Sequence, residues 1–228
     1  MNDLIFITSV INIPNTPYSY TNIRSVYNKY ERYIQTMETI ETIRRYMKVN
    51  NGLKIMLIEC SDFNDNEGIK IEQIIKNNVD YYINLWENIE LRNIIYGISK
   101  SYGELTFIDN VIKYIKNNHL IFNNIYKISG RYTILPTIDM SKYNNNLNVF
   151  NYIKEHNIVS TIFYKIPYNN LDDFNYFLNE SKESCKNCIG LELIFMSYIH
   201  KMINNSNILL LDNNLSITGN IAVDGNKI

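Results

Sequence analysis

Residues 4–11, Leu-Ile-Phe-Ile-Thr-Ser-Val-Ile, form a nearly unbroken apolar run, and nothing else in the chain restricts its fold as strongly. A strand that is apolar on both faces has to be covered on both, which places it inside a sheet with helices on either side. After a loop containing Pro14 and Pro17, residues 31–48 carry Ile34, Met37, Ile40, Ile43 and Met47 at three- and four-residue steps. That is the period of one helix face, and Asn50-Asn51-Gly52 supplies its C-terminal stop. Residues 54–59 predict a second buried strand that runs into the polar loop Cys60-Ser61-Asp62, a helix over 69–76 and a short strand over 80–84 follow, and residues 104–116 place Leu105, Ile108, Ile112 and Ile115 on one stripe. Ser101-Tyr-Gly-Glu104 before that stripe is the Ser-x-x-Glu pattern of a capping box. Residues 125–135 predict a strand interrupted at Ser129-Gly130-Arg131. Strand and helix thus alternate through residue 135, as in a parallel-sheet α/β domain.

The remainder is less regular. A strand over 159–166, a short helix over 172–180 and a strong helix from Leu191 are predicted, the last with Leu191, Ile194, Phe195, Tyr198, Ile199 and Met202 on one face. Residues 208–211 and 216–223, separated by Asp212-Asn-Asn, have the spacing of a hairpin. No repeat or linker divides the chain, and 228 residues suffice for one large domain. The expected organisation is a single α/β domain over 1–228, with a nucleotide-binding half (1–135) and a substrate-side half (136–228).

Composition matters here mainly for what it excludes. The chain holds 37 Asn and 39 Ile against a single Ala, a skew that follows AT-rich codons, so pattern is a better guide than propensity. Twenty-two basic and 23 acidic side chains give a net charge of -1, which argues against a general electrostatic grip on nucleic acid or an anionic membrane. Three cysteines are too few for a disulfide framework, the first residues lack the features of a signal peptide, and no apolar run reaches the roughly 18 residues of a membrane span. A cytoplasmic location is expected, the host's if the chain is viral.

Several chemistries lack their residues. Cys185-x-x-Cys188 has no second pair or spaced His to complete a zinc site, and His119, His156 and His200 stand apart from any nucleophile motif. The phosphate-loop and dinucleotide glycine patterns are absent. Four clusters remain at strand ends or helix starts: Thr8-Ser9-Val10, Glu59-Cys-Ser61-Asp62, Lys100-Ser-Tyr-Gly103-Glu104 and Lys127-Ile-Ser129-Gly130-Arg131-Tyr132. In open α/β sheets such clusters converge outside the carboxyl ends of the strands. Lys100 opens a capped helix whose N–H groups favour an anion, whereas Glu104 in a capping box would serve only its own helix. Arg131 is costly to bury after Ser-Gly in an apolar strand unless an anion accompanies it, either a ligand or a structural acid. Gly130 lets a backbone or ligand come close.

The ordered series Ser-x6-Arg32-x2-Gln-Thr-x2-Thr-x4-Arg44 from Ser25, Leu-Ile-Glu59-x-Ser61, Lys100-Ser-x-Gly103-Glu104, Lys-Ile-Ser-Gly130-Arg131-Tyr132 and Gly219-x-Ile-Ala-x-x-Gly225 resembles a group of glycosyltransferases of large DNA viruses, phages and bacterial surface-polysaccharide loci. The resemblance spans nearly the whole chain. It implies a GT-A-type fold, Rossmann-like with a mostly parallel central sheet flanked by helices, that takes a nucleotide-sugar donor in its first half and a glycan or glycoconjugate acceptor in its second, in glycan biosynthesis. Carried onto this chain, the donor residues are Thr8, Ser9, Val10, Arg32, Glu59, Ser61, Lys100, Gly103, Gly130, Arg131 and Tyr132.

GT-A enzymes usually hold a divalent ion, Mg or Mn, with Asp-x-Asp at a strand end, and this chain has no such motif at the corresponding place. The metal set is unassigned; Asp62, Asp109 and Asp139 are single-carboxylate candidates, and Arg131 with Lys100 is the alternative means of neutralising a departing diphosphate. An inverting transfer needs a general base. Glu192, in the first turn of the last helix but off its apolar stripe, is the first candidate, and Asp139 and Asp109 are the reserves; an acid at Glu192 also complements the helix dipole without any catalytic role. Two other classes remain open: a silent module that keeps the nucleotide-sugar pocket, favoured by the missing Asp-x-Asp, and a viral structural or assembly protein. Arg131 in its Ser-Gly setting favours the enzyme.

Overall fold

The first apolar run forms β1 (Asp3–Ser9), with all seven residues buried. The structure, a computed structural model, describes residues 1–49, 52–202, 207–212, 216–219 and 224–225. Leu4 and Phe6 of β1 enter one core and Ile5 and Ile7 the other, as the two-residue period of a strand requires. The next element, α1 (Lys29–Tyr46), begins at a complete capping box: the Asn28 side chain accepts from Glu31 N, and Glu31 reaches back to Asn28 N. In chain order there follow β2 (Leu53–Glu59), α2 (Asn66–Lys76), β3 (Tyr81–Asn84), α3 (Ile89–Ile95), α4 (Lys100–Asn117), β4 (Asn124–Ser129), β5 (Tyr132–Ile134), β6 (Asn148–Ile153), β7 (Ile158–Pro167), α5 (Leu171–Glu180), α6 (Lys182–Lys186), α7 (Leu191–Met202), β8 (Ile208–Asp212) and β9 (Ile217–Gly219).

Seven strands form one sheet in the order β3-β2-β1-β4-β7-β6-β8. The first four are mutually parallel, β7 runs antiparallel to both neighbours, and β8 is parallel to β6. Ile40, Ile43, Ile71 and Ile75 of α1 and α2 cover one face, while Leu105, Ile108, Val111 and Ile112 of α4, together with α3, α5, α6 and α7, cover the other. This is the expected α/β architecture, a mostly parallel central sheet flanked by helices. Its functional consequence lies at β1. The chain leaves β1 toward β2 on one side and returns as β4 on the other, so the carboxyl ends of β1 and β4 border a crevice where strand order reverses.

Gly130 closes the floor of that crevice. Its N–H donates to Thr8 O at 2.9 Å, and a Cβ there would lie 3.2 Å from both Thr8 O and Ile7 Cγ2. Residues 208–219 depart from the expected hairpin. β8 joins the main sheet beside β6, whereas β9 pairs with β5 in a separate two-stranded sheet, so the strand predicted over 125–135 is divided between two sheets. A Cβ at Gly219 would fall 2.4 Å from Tyr132 Cδ1, which makes glycine a packing requirement of that pairing. Ile221 and Ala222 of the terminal motif, and Asn50-Asn51 of the first helix stop, lie outside the described residues.

The expected start of α4 is also corrected. The helix begins at Lys100, one turn earlier than predicted, and Ser99 rather than Ser101 caps it, accepting from Tyr102 N at 3.2 Å while donating to Cys185 O at 2.5 Å. Ser99→Ala is expected to lower the unfolding free energy by about 1 kcal/mol in a urea titration. Ser101→Ala, whose longest bond is 3.4 Å to the same carbonyl, is expected to cost less. The reverse ranking would return the cap to Ser101.

Candidate functional site

Lys127 points from β4 into the sheet beneath the crevice and is only 1 % exposed. Its ammonium tolerates this burial because three acceptors surround it: Glu104 at 2.5 Å, Ser129 Oγ at 2.8 Å and Thr161 O at 2.7 Å. Glu104 therefore does not close a capping box. It turns inward to Lys127 and also accepts from Thr8 Oγ1 at 3.2 Å. Burial alone would raise the Glu104 pKa, but Lys127, with Lys100 and Arg131 behind it, holds it below the ordinary glutamate value.

Above this pair the cations outnumber the acids. Arg131 follows the Ser129-Gly130 turn with its guanidinium 5.2 Å from the Tyr132 ring centroid, and its Nε is buried with no hydrogen-bond partner among the described residues. Arg32, buried on the first turn of α1, donates from Nε and Nη2 to Val10 O at 3.3 Å each and from Nη1 to Gln35 Oε1 at 3.2 Å. Burial, and after it the Arg131 charge, lowers the Arg32 pKa to about 10. Lys100 is exposed on the wall, yet the enclosing protein and then Arg131 depress its pKa too. Arg24 donates from Nη1 to Ile95 O at 3.1 Å and from Nη2 to Gly97 O, and its guanidinium lies 4.1 Å from the Tyr18 ring centroid.

These four cations line one lobe of the crevice together with Thr8, Ser9, Val10, Gly103 and Gly130. Its one carboxylate among the described residues, Glu104, is already engaged by Lys127. Arg131 thus lowers the pKa of both Arg32 and Lys100, and a concave, partly dry site in which positive charges crowd in this way favours an anion. A second lobe shares Lys100, Glu104, Ser129 and Arg131 with the first and adds Tyr132, Thr161 and Glu192. Glu192 stands in the first turn of α7 and accepts from Thr161 Oγ1 at 2.9 Å.

Most of the expected donor residues are thus brought together, and Glu192 meets them across the shared wall. Glu59 and Ser61 are not among them. Both are wholly buried and line neither lobe. Glu59 Oε1 accepts from Ile11 N and Cys60 N at 3.0 Å each and from Ser61 Oγ at 2.6 Å, and Ser61 Oγ accepts from Ile11 N and Asn12 N at 3.0 and 2.8 Å. Backbone N–H groups leaving β1 needed acceptors, so these side chains turned inward and shape the loop instead. Burial raises the Glu59 pKa against those bonds.

Asp139 is displaced as well. It is exposed, outside both lobes, and caps the turn at Met140–Tyr143 by accepting from Ser141 N at 3.1 Å. Asp62 accepts from Asn64 N at 3.0 Å, and Asp109 pairs with Lys113 at 3.0 Å and Lys182 at 3.3 Å, so the three metal-ligand candidates do not meet. Among the described residues no three His, Cys, Asp or Glu side chains converge as a metal set. The end of β4 presents a guanidinium where a divalent ion would need carboxylates, and the residues there do not fit one.

Residues 10–28 hold what sequence reasoning missed. Arg24 is the only charged residue in that stretch, a signal that was legible, and it straps the loop to the turn after α3. Thr161, the partner of Glu192, carried no comparable mark.

No family model and no curated protein matches the chain. Among solved structures, a protein assigned as a nucleotide-diphospho-sugar transferase of Desulfovibrio desulfuricans G20 superposes with a TM-score of 0.50 and 9% identity, over 93% of this chain and 80% of the other. At that identity the likeness is one of fold alone. A glycosyltransferase involved in glycosylation of the PBCV-1 major capsid (TM-score 0.45, 8% identity, 93% and 82% covered) and the inositol-1-phosphate CTP transferase of T. maritima (0.49, 9%, 93% and 85%) also align.

Removing one partner of a buried ion pair strands the other charge, so Glu104→Gln is expected to lower stability by about 3 kcal/mol at neutral pH. Because its folded pKa lies below the reference of 4.5, Glu104 stabilises the protein above that pH and less as pH falls through the folded value. Urea titrations at neutral pH and in acid should show that loss in the wild type and a shallower acid limb in the variant. Identical acid limbs would mean that Glu104 is not the group responsible.

Proposed function

We propose that the protein is a glycosyltransferase that moves a sugar from a nucleoside diphosphate to a hydroxyl of a glycan or glycoconjugate. The observation that carries this reading is the convergence of Arg24, Arg32, Lys100 and Arg131 on one lobe whose single carboxylate is already engaged. A diphosphate supplies the missing negative charge, and the nucleoside occupies the side formed by the β1 and α1 ends. The first half of the chain, residues 1–135, supplies these groups, while residues 136–228 supply Thr161 and Glu192 on the acceptor side.

In an inverting transfer the acceptor hydroxyl gives its proton to Glu192 as its oxygen bonds to the anomeric carbon. The bond from that carbon to the diphosphate oxygen breaks, and its electron pair leaves with the nucleoside diphosphate. Arg131 and Lys100 stabilise the developing charge, the part a divalent ion plays in enzymes that carry Asp-x-Asp. Thr161 holds Glu192 by donating to Oε1. No described helix is long and apolar enough to cross a membrane.

A thermal-shift screen against uridine, guanosine, cytidine and thymidine diphosphate sugars, with manganese or with chelator, tests the reading, because a ligand of the native state raises apparent stability. At least one donor is expected to stabilise the protein in chelator. Arg131→Ala should weaken that donor by roughly tenfold or more, the worth of a charge-assisted bond to phosphate, with the fold intact. A variant that unfolds while keeping donor affinity would make Arg131 structural. Glu192→Gln keeps size and removes the proton acceptor, so turnover of the donor identified by the screen should fall by roughly 100-fold to 10,000-fold with donor affinity nearly unchanged. Full turnover would remove Glu192 from the chemistry.

A further inference from the structure

Apart from the residues it shares with the cationic lobe, the second lobe is lined by no cation among the described residues. Its own polar side chains are those of Ser19, Ser101, Tyr132, Thr161 and Cys188 and the carboxylate of Glu192, beside the ring of Tyr20. Once a diphosphate engages the shared Lys100 and Arg131, such walls disfavour a second anion and suit an uncharged ligand rich in hydroxyls.

Tyr20 gives that ligand a surface. Its side chain is among the most exposed large apolar groups of the protein, at 61 %. It is nevertheless held in place. Its ring stacks on Tyr18 with centroids 5.6 Å apart and planes 7° from parallel, Tyr18 packs on the Arg24 guanidinium, and Arg24 is tied to Ile95 O and Gly97 O. The backbone between the two tyrosines is pinned as well, with Ser19 N donating to Ile98 O at 2.9 Å. An aromatic ring fixed from behind and open in front is a preorganised platform, which avoids the ordering cost of a free side chain.

We propose that this lobe is an acceptor subsite for an uncharged pyranoside, with the C–H face of the sugar ring on Tyr20 and a hydroxyl edge toward Glu192. The catalytic use of the subsite rests on the transferase reading above, whereas binding of the sugar ring does not require turnover. With a diphosphate neutralising Lys100 and Arg131, Glu192 is the uncompensated charge among the described residues of the lobe, and an acceptor sugar bearing a carboxylate or phosphate is rejected there.

Saturation-transfer NMR tests this with methyl α-glucopyranoside, methyl α-galactopyranoside and methyl α-mannopyranoside as probes and methyl glucuronide as the charged counterpart. The proteins are the wild type, Tyr20→Ala and Tyr20→Trp. At least one neutral glycoside is expected to receive saturation at its ring C–H protons. Its Kd should rise roughly fivefold to tenfold in Tyr20→Ala, the loss of one buried aromatic face, and return close to the wild-type value in Tyr20→Trp. With nucleoside diphosphate added to occupy Lys100 and Arg131, the glucuronide should bind more weakly than its neutral counterpart. Absence of transfer to every neutral probe, an unchanged Kd in Tyr20→Ala, or equal binding of the glucuronide overturns the proposal. The donor screen on the same wild-type samples separates the two readings: a donor that stabilises a protein to which no glycoside binds removes the acceptor subsite alone, and no response to any donor removes the transferase reading.

Discussion

An ammonium group inside a sheet persists only where acceptors replace its water, and the Lys127 ammonium has three, drawn from three elements of the fold. Glu104 comes from α4, Thr161 O from β7 and Ser129 Oγ from the end of β4 itself, while Thr8 of β1 donates to Glu104 from above. The pair ties α4 across β4 and β1 at the crevice. Its desolvation cost offsets much of its attraction, so its value lies more in fixing one arrangement than in net stability. It also engages the carboxylate that lines the cationic lobe, and Glu192 faces Lys100 only from the second lobe. Among the described residues the cationic lobe is left with Arg24, Arg32, Lys100 and Arg131 and no unengaged carboxylate of its own.

A second internal carboxylate shapes the same site without lining it. Glu59 and Ser61 take up the N–H groups of Ile11, Asn12 and Cys60, which turns the chain away from β1 into residues 10–28. That loop then returns over the crevice, where Arg24 binds it to Ile95 O and Gly97 O and Tyr96 Oη donates to Asn12 O at 2.8 Å and Cys60 O at 3.0 Å. The result separates charge by lobe. The β1 side carries the arginines, the α7 side carries Glu192, and the Lys100–Arg131 wall stands between them.

Where burial alone determined the element, the sequence was legible. β1, β2, α1 and α7 occur within two residues of their apolar patterns, because a continuous or three-four period leaves one way to hide those side chains. Elements whose partners are distant were not. The Asn-rich stretch before Val149 concealed β6, which has its place only between β7 and β8. Ser101-x-x-Glu104 satisfied a local rule, but a buried lysine on β4 outcompeted the helix backbone for the carboxylate, and no local pattern encodes that. The same holds for the site. The strand-end clusters bring Thr8, Lys100, Gly130 and Arg131 to one crevice, as the topology of an open sheet implies, while the inward turn of Glu59 and the separation of Asp139 from the crevice depended on tertiary neighbours.

The account stands on the cationic lobe holding the diphosphate of a nucleotide. Calorimetric titration of the wild-type protein, in chelator, with one nucleoside and its mono- and diphosphate tests this most directly, the base being the one the protein prefers. Affinity is predicted to rise with each phosphate and to fall as salt is added, since the cations supply the attraction. Equal affinity for nucleoside and nucleoside diphosphate, or binding of the diphosphate only after a divalent ion is added, would contradict it.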